Sequence, residues 1–149
     1  MNMDRQPPGK LTYLLVDDDP ADLELLRTAF STVDPEANVV TESNSARVVE
    51  WLDASLVDGE RSNVVLITDL NMPAPRGDDL VRSIRQRWTS GPVSIVLSTS
   101  DRKVDVIKAY EAGANSYHAK PMGYHSTVEL CRSISDYWGV ADKPPIARR

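Results

Sequence analysis

The stretch Val64-Val65-Leu66-Ile67-Thr68-Asp69 decides the fold, because an apolar run leads directly into a carboxylate. Leu70-Asn71-Met72-Pro73 follows it. A short apolar run bounded by turn residues is consistent with a buried strand. The acid then lies where that strand enters a loop, and ligands of open α/β sheets bind outside the carboxyl ends of the strands. Asp69 is therefore the first candidate for a functional residue.

Three other apolar runs end in reactive side chains in the same way. Residues 11–16 (LTYLLV) precede Asp17, Asp18 and Asp19, residues 92–97 (PVSIVL) precede Ser98, Thr99 and Ser100, and residues 116–119 (SYHA) precede Lys120 and Pro121. Because the carboxyl ends of parallel strands meet at one edge of the sheet, this repeated placement predicts a single site there.

Strand-like runs alternate with helical patterns along the chain. We predict strands at about 12–16, 38–42, 64–68, 93–98 and 116–119, and helices from 19–20, over 46–53, 78–88, 102–112 and 124–138. Asp19 is the expected N-cap of the first helix, and Gly113 is the expected stop of the fourth. The pattern predicts an α/β fold with a doubly wound five-stranded parallel sheet in the order 2-1-3-4-5, a flavodoxin-like (βα)5 arrangement.

Length and composition predict one domain that needs no disulfide or structural metal for its stability. The chain has 149 residues, a net charge of −5 and one cysteine, Cys131. We expect a flexible N-terminus over 1–10, a domain over 11–138 and a flexible C-terminal tail over 139–149, with a polar loop over 53–63. The acidic balance argues against nucleic acid as a partner. No apolar run could span a membrane or form a signal peptide, and the lone cysteine suits a reducing compartment, so we expect a cytoplasmic protein.

The predicted strand order makes strands 1 and 3 neighbours and so brings Asp17, Asp18 and Asp69 together. Crowded carboxylates raise one another's pKa and favour a compensating cation, and Mg²⁺ prefers such oxygen ligands. We attribute Asp19 to helix capping alone. The Lys120 ammonium could balance an anion that arrives at Asp69.

Spacing alone leaves two questions about the site open. It does not choose among Ser98, Thr99 and Ser100 for a hydroxyl contact. Tyr117 precedes Lys120 by three residues, so strand alternation places the two on opposite faces, and Tyr117 could be only a half-buried aromatic at the sheet edge.

The segments "LLVDDDPAD", "LITDLNMP", "VLSTS" and "AGANSYHAKP" together resemble the CheY-like receiver domain of two-component response regulators over about Leu11 to Tyr137. The resemblance implies that Asp69 is the phosphoacceptor. It further implies that Mg²⁺ is held by Asp17, Asp18, Asp69 and the backbone carbonyl of Asn71, that Lys120 pairs with the phosphoryl group, that Ser98 and Tyr117 form the switch, and that the Lys120–Pro121 bond is cis. The family usually has Ala after the switch hydroxyl, whereas Thr99 follows Ser98 here, so Thr99 stays an alternative.

The same resemblance implies a function. We expect a single-domain response regulator, not an enzyme, that a sensor histidine kinase phosphorylates on Asp69 and that dephosphorylates itself slowly. Segments of the chain are similar to the regulators that accompany bacterial phytochrome kinases. The phosphoryl group is expected to switch the surface formed by the fourth helix, the fifth strand and the fifth helix.

Other functions stay open at this point. The chain could be a phosphate relay or sink without output of its own, a degenerate receiver, or a Mg²⁺-dependent phosphohydrolase. The last would require a second acid two residues after Asp69, where Asn71 stands. Surplus apolar residues on the last two helices predict a homodimer through the C-terminal half. The alternative is that Trp138 folds back on its own core.

Overall fold

A parallel sheet forms the centre of the molecule. The computed structural model describes residues 10–56, 58–144 and 146–149. Its five strands are β1 (Thr12–Val16), β2 (Asn38–Glu42), β3 (Val64–Asp69), β4 (Val93–Ser98) and β5 (Ser116–Ala119). All are parallel to their neighbours, in the order β2-β1-β3-β4-β5. The predicted fold class and strand order are confirmed, while residues 1–9 of the expected flexible N-terminus lie outside the described residues.

Helices connect the strands on both faces of the sheet. They are α1 (Pro20–Val33), α2 (Val48–Ala54), α3 (Asp58–Arg61), α4 (Gly77–Arg87), α5 (Lys103–Ala112) and α6 (Gly123–Val140), with a 3₁₀ turn over Ser45–Arg47 before α2. The predicted fourth and fifth helices correspond to α5 and α6. The expectation of a plain loop over 53–63 was wrong, because the single turn α3 forms inside it. None of the described helices combines the length and apolarity needed to cross a membrane.

Local signals placed the helix ends as expected. The Asp19 carboxylate accepts a hydrogen bond from the Ala21 N–H at 2.9 Å and so caps α1. Gly113 ends α5 with a φ of 111°, a left-handed conformation that costs glycine little. These two ends fix where the chain leaves β1 and where it enters β5.

The sheet separates two main parts of the core. On one face, α1 and α6 cover a cluster in which the Tyr13 and Phe30 rings stack with centroids 4.2 Å apart. On the other face, residues of α2 and α4 pack with the opposite side of β1 and β3 around Trp88. Every residue of β3 and β4 is buried, so the only parts of these central strands that can reach a ligand are their ends.

The amino end of the sheet is closed by ion pairs and by the chain's last residues. Buried Arg61 donates to the backbone carbonyls of Leu52, Asp53 and Leu56. The Asp53 carboxylate pairs with Arg87 and Arg148.

The C-terminal residues make contacts that the sequence did not indicate. Arg148 forms an antiparallel bridge with Trp88, and the Thr89 N–H donates to the Ala147 carbonyl at 2.7 Å. Ile146 packs against the Trp88 side of the core. A single apolar side chain and backbone hydrogen bonds place residues 146–149 against the end of α4. The flexible tail over 139–149 stays a prediction.

Candidate functional site

Three carboxylates converge at the carboxyl end of the sheet. Val16 lies beside Thr68 in the β1–β3 register, so the acids that follow these two residues are neighbours. One carboxylate oxygen from each of Asp17, Asp18 and Asp69 lies within 4.8 Å of the other two. Asp17 and Asp69 are buried, and Asp18 is exposed. The structure therefore brings together the acids that the sequence predicted to meet.

Backbone contacts hold Asp17 and Asp69 in place. The Asp17 Oδ1 atom accepts the Asp19 N–H at 2.9 Å. Beyond Asp69, the Leu70 N–H donates to Leu97 and the Leu70 carbonyl accepts from the Gly77 N–H at 3.0 Å. A Cβ atom at Gly77 would lie 2.1 Å from the Asp69 carbonyl oxygen. Only glycine therefore lets the start of α4 approach Asp69 this closely.

Lys120 lies between the carboxylates, as predicted from its position after β5. Its Nζ atom is 2.9 Å from Asp17 Oδ2 and 3.3 Å from Asp69 Oδ1. It is also 2.9 Å from Asp22 Oδ2. The sequence reading missed Asp22 as a site residue, because an acid in the first turn of a helix already has a role there. The sequence did contain a signal for Asp22. Because α1 begins directly after Asp19, its first turn, which includes Asp22, lies next to the site.

Burial and crowding shift the protonation of these groups. Burial raises the pKa of Asp17. Burial and then the charge of Asp17 raise the pKa of Asp69. Burial alone would lower the pKa of Lys120, but hydrogen bonds with Asp17 and Asp22 and the charge of Asp69 outweigh it and raise that pKa. The site thus contains one firmly protonated ammonium among more carboxylates than it can neutralise.

This imbalance fits a hard divalent cation. The cluster offers carboxylate oxygens, the ligands that Mg²⁺ prefers. A cation would offset the repulsion that raises the pKa of Asp69. Asn71 is exposed on the loop two residues after Asp69, at the same edge of the sheet as the carboxylates.

Ser98 and Thr99 differ in their surroundings. Ser98 is fully buried at the end of β4, and its Oγ atom accepts the Ser100 N–H at 3.0 Å. Its carbonyl accepts the Lys120 N–H at 2.9 Å, so β4 and β5 are joined where their site residues lie. Thr99 is exposed. Leu97 is the β4 partner of Asp69 in the register, which places Ser98 one residue beyond the candidate phosphoacceptor.

Tyr117 is half-buried on the α5 side of the sheet, where it packs against a cluster that includes Leu70 and Val96. Its hydroxyl donates to the Ser100 carbonyl at 2.9 Å. The Ser100 hydroxyl in turn donates to Asp105 at 2.6 Å. Sequence spacing did not identify Ser100 as the residue that contacts both Ser98 and Tyr117.

One expectation at this edge was wrong. The Lys120–Pro121 bond is not cis; among the described residues the cis peptide bonds are Ala74–Pro75 and Gly91–Pro92.

Part of the apolar surplus on the last two helices is covered. Leu130 and Trp138 of α6 are partly buried and pack against the core cluster that α1 and α6 cover. Exposed large apolar side chains remain on both helices: Val104, Ile107, Tyr110, Tyr124, Tyr137 and Val140. The exposed apolar surface is therefore smaller than the helical pattern alone indicated.

Comparisons with known proteins find similar proteins over most of the chain. Response regulator Rcp1 of Synechocystis sp. is 28% identical over 141 residues, which cover 93% of this chain and 94% of Rcp1. A solved structure of the Mn²⁺-bound form of Rcp1 has a TM-score of 0.70 at 24% identity and covers 90% of this chain and 99% of that chain.

Two further solved structures share the fold over most of both chains. The phosphorylated cyanobacterial phytochrome response regulator RcpA has a TM-score of 0.75 at 24% identity, covering 91% of this chain and 99% of that one. Response regulator RPA3017 in red light signaling of R. palustris has a TM-score of 0.74 at 26% identity, covering 90% and 98%. The sequence profile of the response regulator receiver domain matches residues 13–132. The chain belongs to the response regulator receiver domain family.

Proposed function

We propose that Asp69 accepts a phosphoryl group from the phosphohistidine of a sensor histidine kinase. The observation that carries this proposal is a buried carboxylate with two neighbouring acids within 4.8 Å and an ammonium at 3.3 Å. An Asp69 carboxylate oxygen attacks the phosphorus atom, the phosphorus–nitrogen bond breaks, and the electron pair stays on the imidazole nitrogen. The product is an acyl phosphate in a site that already contains a protonated lysine.

Each neighbouring residue has a role in this proposal. Lys120 donates a hydrogen bond to a phosphoryl oxygen and balances its charge. Asp17, Asp18, Asp69 and the Asn71 backbone carbonyl would hold Mg²⁺, which supplies positive charge against the transferring oxygens. Gly77 keeps the Asp69 backbone where the carboxylate meets these partners.

The switch in this proposal starts at Ser98. Its Oγ atom accepts from Ser100 and still has its own hydrogen to donate to the phosphoryl group. Movement of Ser98 would displace Ser100, whose N–H donates to the Ser98 Oγ atom. The Ser100 carbonyl accepts the hydrogen bond from the Tyr117 hydroxyl, so the displacement would reach Tyr117. The surface of α5, β5 and α6 would then change, because a local charge biases a two-state element. Burial favours Ser98 over the exposed Thr99 for this contact.

Mass spectrometry of the intact protein tests the phosphoacceptor. With acetyl phosphate and Mg²⁺, the wild type should gain one phosphoryl group, and Asp69→Asn should gain none. Asp79→Asn, which removes an exposed acid on α4, should label like the wild type, and EDTA should prevent labelling. Equal labelling of Asp69→Asn and the wild type would disprove the central claim.

We further propose that the kinase is a bacteriophytochrome and that the protein is cytoplasmic. Support for the kinase comes from two structural neighbours. RcpA is a cyanobacterial phytochrome response regulator, and RPA3017 is a response regulator in red light signaling of R. palustris. Incubation with an autophosphorylated bacteriophytochrome kinase should transfer phosphoryl to Asp69 within minutes, much faster than a histidine kinase of unrelated specificity. Equal transfer rates from both kinases would remove the support for this partner.

Self-association is the last part of the proposal. The exposed Ile107 and Tyr110 of α5 and Tyr137 of α6 could pack against a second copy through a two-fold axis. Light scattering over a concentration series should detect a dimer that Tyr137→Ala weakens. A wild type that stays monomeric at high concentration, with and without a phosphoryl mimic, would contradict the dimer.

A further inference from the structure

Lys120 has as many acidic neighbours as it has hydrogens to donate. A protonated lysine offers three N–H groups, and Nζ lies within 3.3 Å of carboxylate oxygens of Asp17, Asp22 and Asp69. The two shortest contacts, both 2.9 Å, go to Asp17 and Asp22. The ammonium is therefore shared between the end of β1, the end of β3 and the first turn of α1.

Asp22 differs from the other two partners of Lys120. Asp17 and Asp69 belong to the three-carboxylate cluster that could hold a cation, and Asp22 does not. Its side chain is 38% exposed, whereas those of Asp17 and Asp69 are 2% and 8% exposed. Asp22 is thus the one acidic partner that can keep its bond to Lys120 while the other two turn their oxygens to a metal.

A divalent cation among these carboxylates must compete with the ammonium. Like charges a few ångströms apart repel strongly where water is scarce, and Lys120 already contacts two of the three carboxylates of the cluster, those of Asp17 and Asp69. Binding therefore requires Lys120 to weaken two of its three contacts. Without another acceptor the ammonium would lose those hydrogen bonds in a largely buried position, which is costly.

We propose that Asp22 is a positioning residue that holds the Lys120 ammonium when a divalent cation occupies the carboxylates of Asp17, Asp18 and Asp69. The inference rests on the proposed metal site. It adds to that site a residue that controls the position of the Lys120 ammonium, which competes with the metal for the carboxylates. Asp22 keeps Lys120 within reach of Asp69 and lowers the repulsion that the cation meets. The role requires no contact between Asp22 and the metal.

Mg²⁺ binding by titration calorimetry tests the coupling between Asp22 and Lys120. Asp22→Asn should weaken Mg²⁺ binding about threefold to tenfold, the size expected for residues that share one hydrogen-bonded network. The matched control is Glu24→Gln, which removes an equal charge from α1 at an exposed acid paired with Arg27. It should leave the affinity nearly unchanged.

A double-mutant cycle separates positioning from a simple charge effect. Lys120→Met removes the competing ammonium, so in that background Asp22→Asn should change Mg²⁺ affinity no more than Glu24→Gln does. The same loss of affinity in both backgrounds would show that Asp22 acts only as a negative charge, and the proposal would be wrong.

Acetylation of Lys120 with an N-hydroxysuccinimide ester gives a second readout that needs no variant of Lys120. Peptide mass spectrometry follows its rate, with the exposed Lys108 as internal reference. In the wild type, Mg²⁺ should change the Lys120 rate less than twofold, because Asp22 retains the ammonium. In Asp22→Asn, Mg²⁺ should raise it at least threefold, and an equal response in both proteins would overturn the proposal.

Neither measurement involves phosphoryl transfer, so this inference and the proposed function can fail separately. Loss of labelling at Asp69 with intact Asp22–Lys120 coupling would contradict the phosphoacceptor alone. Normal labelling without that coupling would contradict only the role of Asp22.

Discussion

The two ends of the sheet carry charged side chains of opposite sign in excess. At the amino end, Arg61 is surrounded by three backbone carbonyls, and two arginines share the carboxylate of Asp53. At the carboxyl end, Asp17, Asp22 and Asp69 share the single ammonium of Lys120, with Asp18 beside them. Hydrogen bonds from arginines at the amino end hold segments of the chain together, whereas carboxylates in excess at the carboxyl end remain available for a ligand. The comparison predicts that variants at the two ends should affect different measurements.

The largest expected effect is on stability, at the amino end. Arg61→Ala should lower the free energy of unfolding by about 3 kcal/mol, because it removes a buried side chain that donates to one buried and two partly buried backbone carbonyls. Urea unfolding measures the loss. Arg82→Ala, which removes an exposed arginine paired with Asp79, should have almost no effect. If Arg61→Ala instead abolished the stabilisation by Mg²⁺ while leaving the metal-free protein intact, the division between the two ends would be wrong.

The second largest effect is expected on Mg²⁺ binding, at the carboxyl end. Asp18→Ala should weaken Mg²⁺ binding about tenfold, in the range seen when a supporting group of a metal site is lost. Its metal-free stability should be unchanged, since the side chain is exposed. Thermal unfolding with and without Mg²⁺ reports both quantities, because a ligand that binds only the folded state raises the melting temperature. An Asp18→Ala protein that responds to Mg²⁺ like the wild type would exclude Asp18 from the site.

A smaller effect should come from the C-terminal residues. Ile146→Ala should lower the free energy of unfolding by about 1 kcal/mol, since Ile146 is partly buried against the core that contains Trp88. Val140→Ala is the matched control, because Val140 is 86% exposed. Mg²⁺ binding should be the same in both variants. No difference in stability between them would mean that the tail contacts contribute nothing in solution.

The smallest effect is a pH dependence of the stabilisation by Mg²⁺. The pKa values of Asp17 and Asp69 are raised in the folded protein, so the folded state binds their protons more tightly than the unfolded state does. Without metal, these groups favour folding at low pH, and that contribution is lost as the pH rises through the folded pKa values. Protons and Mg²⁺ compete, so the gain in melting temperature from Mg²⁺ should shrink as the pH falls towards the raised pKa values of these carboxylates. A gain that grows as the pH falls would contradict this sign.

The sequence predicted the parts of the fold that follow from local pattern. Apolar runs located all five strands, and capping by Asp19 and the stop at Gly113 located two helix ends. The meeting of Asp17, Asp18 and Asp69 followed from strand order, because adjacent parallel strands end at the same edge.

What the sequence could not predict depends on contacts between distant segments. Asp22 is an ordinary first-turn acid until β5 brings Lys120 to it across 98 residues. Ser100 is one of three candidate hydroxyls until the Tyr117 side chain reaches its carbonyl. The C-terminal bridge to Trp88 uses backbone groups, which leave no mark in a hydrophobicity pattern.

The glycine at position 77 has a consequence for relatives and for engineered versions of this chain. A Cβ atom at this position would be 2.1 Å from the Asp69 carbonyl oxygen, so no side chain fits there without a shift of the backbone. A sequence could therefore retain every charged group of the site and still have its Asp69 backbone displaced by a one-methyl change there. A comparison of such chains should therefore examine this uncharged position together with the acids.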